Sequence, residues 1–201
     1  KKRWKFCGRS TKSNRLYEKI IIMESPIFKT ILIKLSGEVL MGEDKFGFNS
    51  KAVSNIVDEI ISIHNLNIRL AIVIGGGNIF RGVNLANQGL DRATGDYMGM
   101  LATVMNAIAL KDILNTKRIN TRVLSAINIS QVAEPYIRGK AISHLDKNRI
   151  VIFAAGTGNP FFTTDTAGAL RAIEINSDIM IKATKVDGIY DKDPIIHPSA
   201  K

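Results

Sequence analysis

Cysteine and long apolar runs are scarce in this sequence, and each shortage excludes a class of protein. The one cysteine, Cys7, cannot form a disulfide within the chain, and none of the usual metal-ligand spacings of Cys and His occurs. The longest nearly apolar stretch, residues 98–110, is too short to span a bilayer. An apolar core of the length that a secretory signal needs is missing too. We therefore expect a cytoplasmic protein that is neither secreted nor integral to a membrane.

Acidic residues are almost missing from the first 22 positions. Residues 1–22 carry eight Lys and Arg side chains against Glu18, so they hold most of the formal net charge of +10. We interpret residues 1–28 as a basic amino-terminal extension that is disordered or non-native, with Met23 as the natural start. The alternative is an arm that binds RNA or DNA through its cations and its three aromatic residues. Such charge runs are usually solvated, so we place the solvated extension ahead of nucleic-acid binding.

Short apolar runs alternate with helical patterns over the rest of the chain. A hydrophobic content of 45% is ample for a buried core. Near-continuous apolar runs are typical of strands that are covered on both faces of a parallel sheet. The pattern predicts strands at 30–35, 69–74, 150–154 and 178–183, and helices around 53–64, 93–115 and 163–176. It indicates an α/β fold, a three-layer α/β/α sandwich with a mainly parallel sheet.

The helix predicted at 93–115 is apolar on nearly all sides. Met98, Leu101 and Met105 fall on one side at helical spacing, and Val104 falls on the other. A helix with so few positions for water is central or covered by a neighbour. We expect a subunit interface on this helix.

Glycine-bearing loops follow three of the predicted strands, at 34–37, 75–82 and 156–165. Glycine allows a backbone to approach a ligand closely, and loops at the carboxyl ends of parallel strands are where open α/β sheets bind phosphates. The sequence has no Walker A lysine motif. Three such loops suggest room for more than one phosphate-bearing molecule.

Four phrases occur in a characteristic order and spacing. They are IKLSGE at 33–38, VIGGGNIFRG at 73–82, GDYMGMLAT at 95–103 and KATKVDG at 182–188. The ordered set resembles the bacterial-type UMP kinases (uridylate kinases) of the amino-acid kinase superfamily. Within that superfamily, the third phrase and the long TGNPFFTTD loop at 157–165 favour UMP kinase over amino-acid or carbamate kinases.

The resemblance implies a UMP kinase that transfers the γ-phosphate of ATP to UMP, giving UDP and ADP, in pyrimidine nucleotide biosynthesis. It implies Mg²⁺ bound mainly through the nucleotide phosphates, with no metal site made of protein ligands. It also implies a homo-oligomer, a hexamer, that is an allosteric enzyme activated by GTP and inhibited by UTP.

The resemblance covers residues 29–201, which we interpret as an amino-acid kinase domain that lacks its carboxyl-terminal elements. Members of the family continue past position 201 through elements that complete the nucleotide-donor half. The alternative function is therefore a truncated nucleotide-binding protein of the same fold with little or no catalysis.

Phosphoryl transfer between two polyanions needs cations and backbone N–H groups aimed at the transferring oxygens. Lys34, at a strand end, is the candidate to neutralise the negative charge of the phosphoryl group during transfer. The alternative is an edge-strand lysine that prevents aggregation. Arg81 follows the triple glycine, where side chain and helix N–H groups can meet a phosphate together; the alternative is a solvated charge on a helix face. Asp165 is the third catalytic candidate, orienting Lys34 and a magnesium ion; the alternative is a helix cap.

The resemblance also assigns binding residues. Those for ATP are Lys34, Leu35, Ser36, Gly37, Gly77, Arg81, Thr184, Tyr190 and Asp193. Those for UMP are Gly76, Asp96, Thr157, Gly158, Asn159, Pro160, Phe161, Phe162, Thr163 and Thr164. The family's GTP-activation region matches Gly42, Glu43, Asp44, Lys45, Phe46 and Gly47.

Two of these assignments have a plain structural alternative. Asp96 opens the apolar helix, where it could accept hydrogen bonds from ribose hydroxyls or simply cap the helix. Asp193 precedes Pro194, and Asp-Pro is also an ordinary turn signature.

Overall fold

A computed structural model describes residues 26–80, 89, 91–183 and 191 of the chain. The strands are β1 (Thr30–Leu35), β2 (Arg69–Ile74), β3 (Thr121–Ser125), β4 (Glu134–Pro135), β5 (Ile150–Ala154) and β6 (Ile179–Lys182). The helices are α1 (Glu38–Met41), α2 (Ser50–His64), α3 (Arg92–Thr116), α4 (Arg138–Asp146) and α5 (Thr164–Glu174).

The strands of this described part form one parallel sheet in the order β4-β3-β5-β2-β1-β6. β1 lies inside the sheet, and its register places Lys34 beside Val73 of β2 and beside Lys182 of β6. Because all the strands run in the same direction, the segments that follow β1, β2, β5 and β6 meet at one edge of the sheet.

Each face of the sheet has its own apolar core. Ile31 and Ile33 of β1 face the layer that contains α2 and α3. Leu32 faces the opposite layer, where Leu145 of α4 and Ala167 of α5 pack. Alternate residues of a strand point to opposite faces, so a strand covered on both sides is apolar almost throughout. This arrangement confirms the predicted three-layer α/β/α sandwich with a parallel sheet.

Polar side chains set where three of the helices begin. Each accepts a hydrogen bond from the backbone N–H three residues further on: Asn49 for α2, Asp91 for α3 and Thr163 for α5. The start of α3 corrects the expectation that Asp96 opens this helix. Asp91 caps it instead, and Asp96 lies in the second turn.

α3 buries one side and exposes an apolar stripe on the other. Met100 and Val104 pack into the core against the sheet. Tyr97, Leu101 and Met105 are respectively 47%, 47% and 54% exposed. By length and composition alone α3 could cross a membrane, yet its buried side forms a layer of the sandwich. The exposed stripe includes Leu101 and Met105, which lie on the face where the sequence predicts a subunit interface.

Candidate active site

The glycine loops after β1 and β2 touch each other at the carboxyl edge of the sheet. A Cβ atom on Gly37 would lie 2.6 Å from the carbonyl oxygen of Gly75. A Cβ atom on Gly76 would lie 2.8 Å from Cβ of Ala102 and 2.9 Å from the carbonyl oxygen of Gly99, so the second loop also presses onto α3. Neither position has room for a side chain, which explains the glycines in both phrases.

A cleft of about 170 Å³ opens between the β2 loop, the first half of α3 and the loop after β5. Its lining consists of Gly76, Gly77, Phe80, Gly95, Asp96, Gly99, Met100, Thr103, Gly156, Thr157, Asn159, Phe162 and Thr164. Six of the ten residues predicted to contact UMP line this cleft. The other four, which belong to the same loop after β5 without lining the cleft, are Gly158, Pro160, Phe161 and Thr163.

Lys34 and Asp165 form an ion pair. Neither residue is part of the cleft lining, but Asp165 directly follows Thr164, which lines the cleft. Nζ of Lys34 lies 2.7 Å from Oδ1 of Asp165, at the distance of an ion pair but without the alignment of a hydrogen bond. Lys182, at the end of β6, donates a hydrogen bond of 2.8 Å to Oδ2 of the same carboxylate. The Lys34 side chain is 10% exposed and that of Lys182 is 51% exposed. One carboxylate therefore holds two ammonium groups, and the three side chains together are positively charged.

The packing of α5 brings Asp165 to these lysines. A Cβ atom on Gly168 would lie 2.6 Å from Cε of Met180 and 3.8 Å from Cβ of Lys34, so glycine lets α5 approach β1 and β6 closely. Thr163 caps the helix, which leaves Asp165 available for the ion pairs. β1 lies between two other strands, so Lys34 is not an edge-strand lysine. The structure thus excludes the plain alternative for each of these two residues.

The two lysines determine the charge state of Asp165. Partial burial alone would raise the pKa of this carboxyl group. The contacts from Lys182 and Lys34 outweigh burial and hold its pKa below the ordinary value of an aspartate. Asp165 is therefore ionised at neutral pH, which keeps both ammonium groups in place.

Asp96 connects α3 to the loop after β5. Its Oδ2 accepts a hydrogen bond of 2.7 Å from the backbone N–H of Phe161, and Arg92 Nε lies 3.1 Å from its Oδ1. The side chain lines the cleft and is 23% exposed. A carboxylate in this position can accept a hydrogen bond from a ligand hydroxyl while it holds the loop.

The loop after β5 presents two aromatic rings beside the cleft. Phe161 has a φ of +70°, in the left-handed region that a side chain of this size rarely adopts. Phe161 and Phe162 are largely exposed, and the guanidinium of Arg92 lies 5.9 Å from the centre of the Phe161 ring. Exposed rings next to a polar cleft can pack against a planar base.

The remaining ATP-side predictions within the described part lie at the end of β1, in the turn after it and in the loop after β2. The Leu35 side chain is buried in the core, so its backbone is the part that can reach a ligand. Oγ of Ser36 accepts a hydrogen bond of 3.3 Å from the N–H of Glu38, which shapes the turn that leads into Gly37. Gly77 lines the cleft.

The predicted GTP region forms a turn between α1 and α2. Gly42 ends α1 with a φ of +59°, and Gly47 has a φ of +81°. The side chains between them do not line the cleft; those of Glu43, Asp44, Lys45 and Phe46 are exposed. The region connects to the site through Gly47, whose N–H donates a hydrogen bond of 2.8 Å to the carbonyl oxygen of Asn78.

Four predicted residues lie outside the described part of the chain. They are Arg81, Thr184, Tyr190 and Asp193. Their assigned roles stay predictions.

Sequence reasoning missed three polar groups that shape the site. Lys182 ends its strand in register with Lys34, a pairing for which the sequence alone carries no signal. Oγ1 of Thr103 accepts a hydrogen bond of 2.7 Å from the N–H of Ala155, which joins α3 to the loop after β5. Asn106 donates a hydrogen bond of 2.7 Å to the carbonyl oxygen of Gly75. The signal for Thr103 and Asn106 is a polar residue within an apolar helix, because buried polar groups need partners.

The residues of the described part offer little to a metal ion. No group of three or more His, Cys, Asp and Glu side chains there is placed to hold one. Both oxygens of Asp165 already contact ammonium groups. This chemistry fits a Mg²⁺ ion that is bound through nucleotide phosphates better than one held by a protein cage.

Solved structures of UMP kinases resemble this chain in sequence and in fold. The chain is 46% identical to the UMP kinase from Bacillus anthracis, with a TM-score of 0.81 over 87% of this chain and 72% of that one. It is 37% identical to the UMP kinase from Ureaplasma parvum, with a TM-score of 0.80 over 89% and 75%. It is 28% identical to the uridylate kinase from Archaeoglobus fulgidus, with a TM-score of 0.62 over 85% and 71%.

A family model also matches the sequence. Residues 29–201 match the Amino acid kinase family. Because this match spans most of the chain and the fold agrees with the solved relatives, the chain belongs to the amino acid kinase family.

Proposed function

We propose that the chain is a UMP kinase, which transfers the γ-phosphoryl group of ATP to UMP and releases UDP and ADP. The observation that carries the proposal is the carboxylate of Asp165, which holds the ammonium groups of Lys34 and Lys182 and directly follows Thr164 of the glycine-walled cleft. The identity of 46% to a UMP kinase supports the choice of substrates.

The charge arrangement suits phosphoryl transfer. Two polyanionic nucleotides repel each other, and the charge of the transferring group spreads over its oxygens in the transition state. Preorganised cations lower that barrier without reorganising during the reaction. Lys34 is the more buried of the two lysines, so we assign it to the transferring phosphoryl group. Lys182 is half-exposed and still has N–H groups to offer, so we assign it to the donor phosphates.

The acceptor nucleotide occupies the cleft in this proposal. Asp96 accepts a hydrogen bond from a ribose hydroxyl, and the loop after β5 supplies backbone and hydroxyl groups to the base and phosphate. The ring of Phe162 packs against the base. The attacking atom is a phosphate oxygen that is largely ionised near neutral pH, so the reaction needs no general base.

The donor nucleotide approaches from the turn after β1. The backbone of Ser36, Gly37 and Gly77 belongs to the two touching glycine loops that would hold its phosphates. Arg81, Thr184, Tyr190 and Asp193 complete the proposed ATP site. Mg²⁺, bound through the phosphates, supplies further neutralisation of charge when ATP is present.

The assembly and regulation of the enzyme are part of the proposal. The apolar stripe of α3 would be covered by a second copy of the chain in a homo-oligomer, and the family resemblance makes this a hexamer. GTP would activate through the Gly42–Gly47 region and UTP would inhibit. The enzyme would act in the cytoplasm, where its nucleotide substrates are found.

One experiment separates this proposal from binding without catalysis. Calorimetry with UMP, and separately with a non-hydrolysable ATP analogue, measures binding, while a coupled assay measures ADP release with UMP and Mg-ATP. We expect binding of both nucleotides and ADP release that depends on UMP. Binding without release would favour the nucleotide-binding alternative, and loss of binding as well would contradict both.

A further inference from the structure

A buried pair of side-chain amides lies behind the glycine loop that follows β2 and lines the cleft. Asn106 lies in the middle of α3, and Asn78 directly follows the three glycines of the loop. Their exposed fractions are 0% and 1%. Nδ2 of Asn106 donates a hydrogen bond of 2.7 Å to Oδ1 of Asn78. Nδ2 of Asn78 donates one of 3.1 Å to Oδ1 of Asn106. The two amides are thus reciprocally paired.

The second N–H of each amide holds a different loop. Asn106 donates a hydrogen bond of 2.7 Å to the carbonyl oxygen of Gly75, at the base of the glycine loop. Asn78 donates one of 3.0 Å to the carbonyl oxygen of Gly47, and the N–H of Gly47 donates back to the carbonyl oxygen of Asn78 at 2.8 Å. The side-chain N–H groups of both amides are therefore all used, and breaking one contact would leave a buried polar group without a partner.

The packing around the pair leaves little room to absorb a movement. A Cβ atom on Gly37 would lie 2.6 Å from Oδ1 of Asn78, so the turn after β1 also rests against the pair. Any displacement of Asn78 must consequently shift the turn after β1, the glycine loop or the Gly42–Gly47 loop. Low-dielectric networks of this kind specify one arrangement strongly when they are fully satisfied.

We propose that Asn78 and Asn106 are positioning residues that fix the glycine loop after β2. They also couple the Gly42–Gly47 loop, which does not line the cleft, to that glycine loop. The inference rests on the proposed function, because it takes the glycine loop to bind nucleotide phosphates. A nucleotide in the cleft then orders the Gly42–Gly47 loop through the amide pair. By reciprocity, whatever orders that loop tightens nucleotide binding.

Hydrogen exchange read by mass spectrometry tests the coupling in the full chain, alone and with UMP or Mg-ATP. In the parent chain we expect nucleotide to slow exchange at residues 42–49 as well as at 75–80. In Asn106→Asp a carboxylate oxygen replaces the donating Nδ2 and faces two acceptors, the carbonyl oxygen of Gly75 and Oδ1 of Asn78. Exchange at 42–49 without nucleotide should then rise about tenfold, as the loss of a buried hydrogen bond implies, and nucleotide protection there should disappear.

A kinetic measurement distinguishes positioning from a general effect on stability. When the kinetics are measured below the melting temperature of the variant, Asn106→Asp should raise the KM for nucleotide by a larger factor than it lowers kcat. Asn115→Asp, on the same helix, keeps the acceptor for the N–H of Thr121 and should stay within twofold of the parent chain in both measurements.

Three results would overturn the inference. The first is that nucleotide protects residues 75–80 of the parent chain from exchange but leaves residues 42–49 unprotected. The second is that the exchange rate at 42–49 in Asn106→Asp stays within twofold of the parent chain, and the third is the same result in Asn78→Asp. The parent-chain measurement decides even if a variant fails to fold. If nucleotide protects neither segment, the proposed function fails, and exchange in the nucleotide-free variants still decides the coupling.

Discussion

Nζ of Lys182 lies 2.8 Å from Oδ2 of Asp165, on the side of the carboxylate that Lys34 does not contact. The parallel pairing of β1 with β6 produces this relationship, because Lys34 and Lys182 are register partners at the ends of adjacent strands. A carboxylate between two lysines holds each ammonium group at a fixed place without neutralising both.

Replacing Lys182 by Met should lower kcat by about tenfold to a hundredfold, since one preorganised cation is lost while Lys34 remains. The Lys182→Arg variant should recover part of the activity because it keeps a positive charge. Steady-state ADP release is the measurement. Lys140→Met, an exposed lysine on α4, serves as the control and should behave like the parent chain. A Lys182→Met variant with unchanged kcat would remove this residue from the site.

The acid side of the pH profile should respond to the same substitution. The pKa of Asp165 is held below its ordinary value, so the carboxylate stays charged until the solution is more acid than about pH 4. Without Lys182, burial acts against fewer stabilising contacts and the pKa rises. The acid limb of kcat in Lys182→Met should therefore lie at higher pH than in the parent chain. Identical acid limbs would contradict the assignment.

The ion pairs should also affect stability in a defined pH window. A carboxyl group whose pKa is lower in the folded state stabilises the fold above its unfolded pKa, and this stabilisation is lost as the pH falls through the folded value. The difference in melting temperature between the parent chain and Lys182→Met should be full at pH 6 and shrink below about pH 4. A difference that grows toward acid pH would have the wrong sign.

Asp96→Asn should weaken UMP binding selectively. The substitution removes the negative charge that accepts the Phe161 N–H and that is proposed to accept a ribose hydroxyl. We expect the KM for UMP to rise about tenfold, close to 1.4 kcal/mol, with the KM for ATP nearly unchanged. Asp112→Asn, exposed toward the other end of α3, is the matched control. Equal increases in both KM values would point to a general disturbance of α3 instead.

The exposed stripe of α3 should govern assembly. We expect the parent chain to run as an oligomer in size-exclusion chromatography with light scattering, well above the 22.1 kDa of one chain. Leu101→Glu places a charge in the stripe and should shift the mass downward. Ile173→Glu, at an exposed apolar residue of α5, should leave the mass unchanged. A monomeric parent chain at micromolar concentration would contradict the proposed interface.

Much of the fold could be predicted because its strands are buried on both faces. Near-continuous apolar runs located β1, β2 and β5 at their observed ends. β3 was missed because Thr121 and Arg122 interrupt its apolar pattern, and β4 because it has two residues, one of them Pro135. α4 was missed because it is short and has only three apolar residues, Ala141, Ile142 and Leu145.

The sequence predicts a site residue well where a residue type that suits phosphate chemistry stands at a recognisable strand end or helix start. Lys34, Asp165 and the glycines lie at strand ends or helix starts, where the chemistry of phosphates favours them. The contacts of Lys182 and of the Asn78 and Asn106 pair depend on elements far apart in the sequence. A single sequence gives no register between β1 and β6, and so it could not pair these residues.

The role of Lys34 in phosphoryl transfer is tested most directly by UMP-dependent ADP release in Lys34→Met. The parent chain and Lys51→Met, at an exposed position of α2, are measured beside it. Calorimetry with UMP and the melting temperature show in parallel that the variant is folded. We expect a loss in kcat of about a thousandfold, roughly 4 kcal/mol in the barrier, with UMP affinity kept within threefold. Turnover within tenfold of the parent chain in a folded Lys34→Met protein would contradict it.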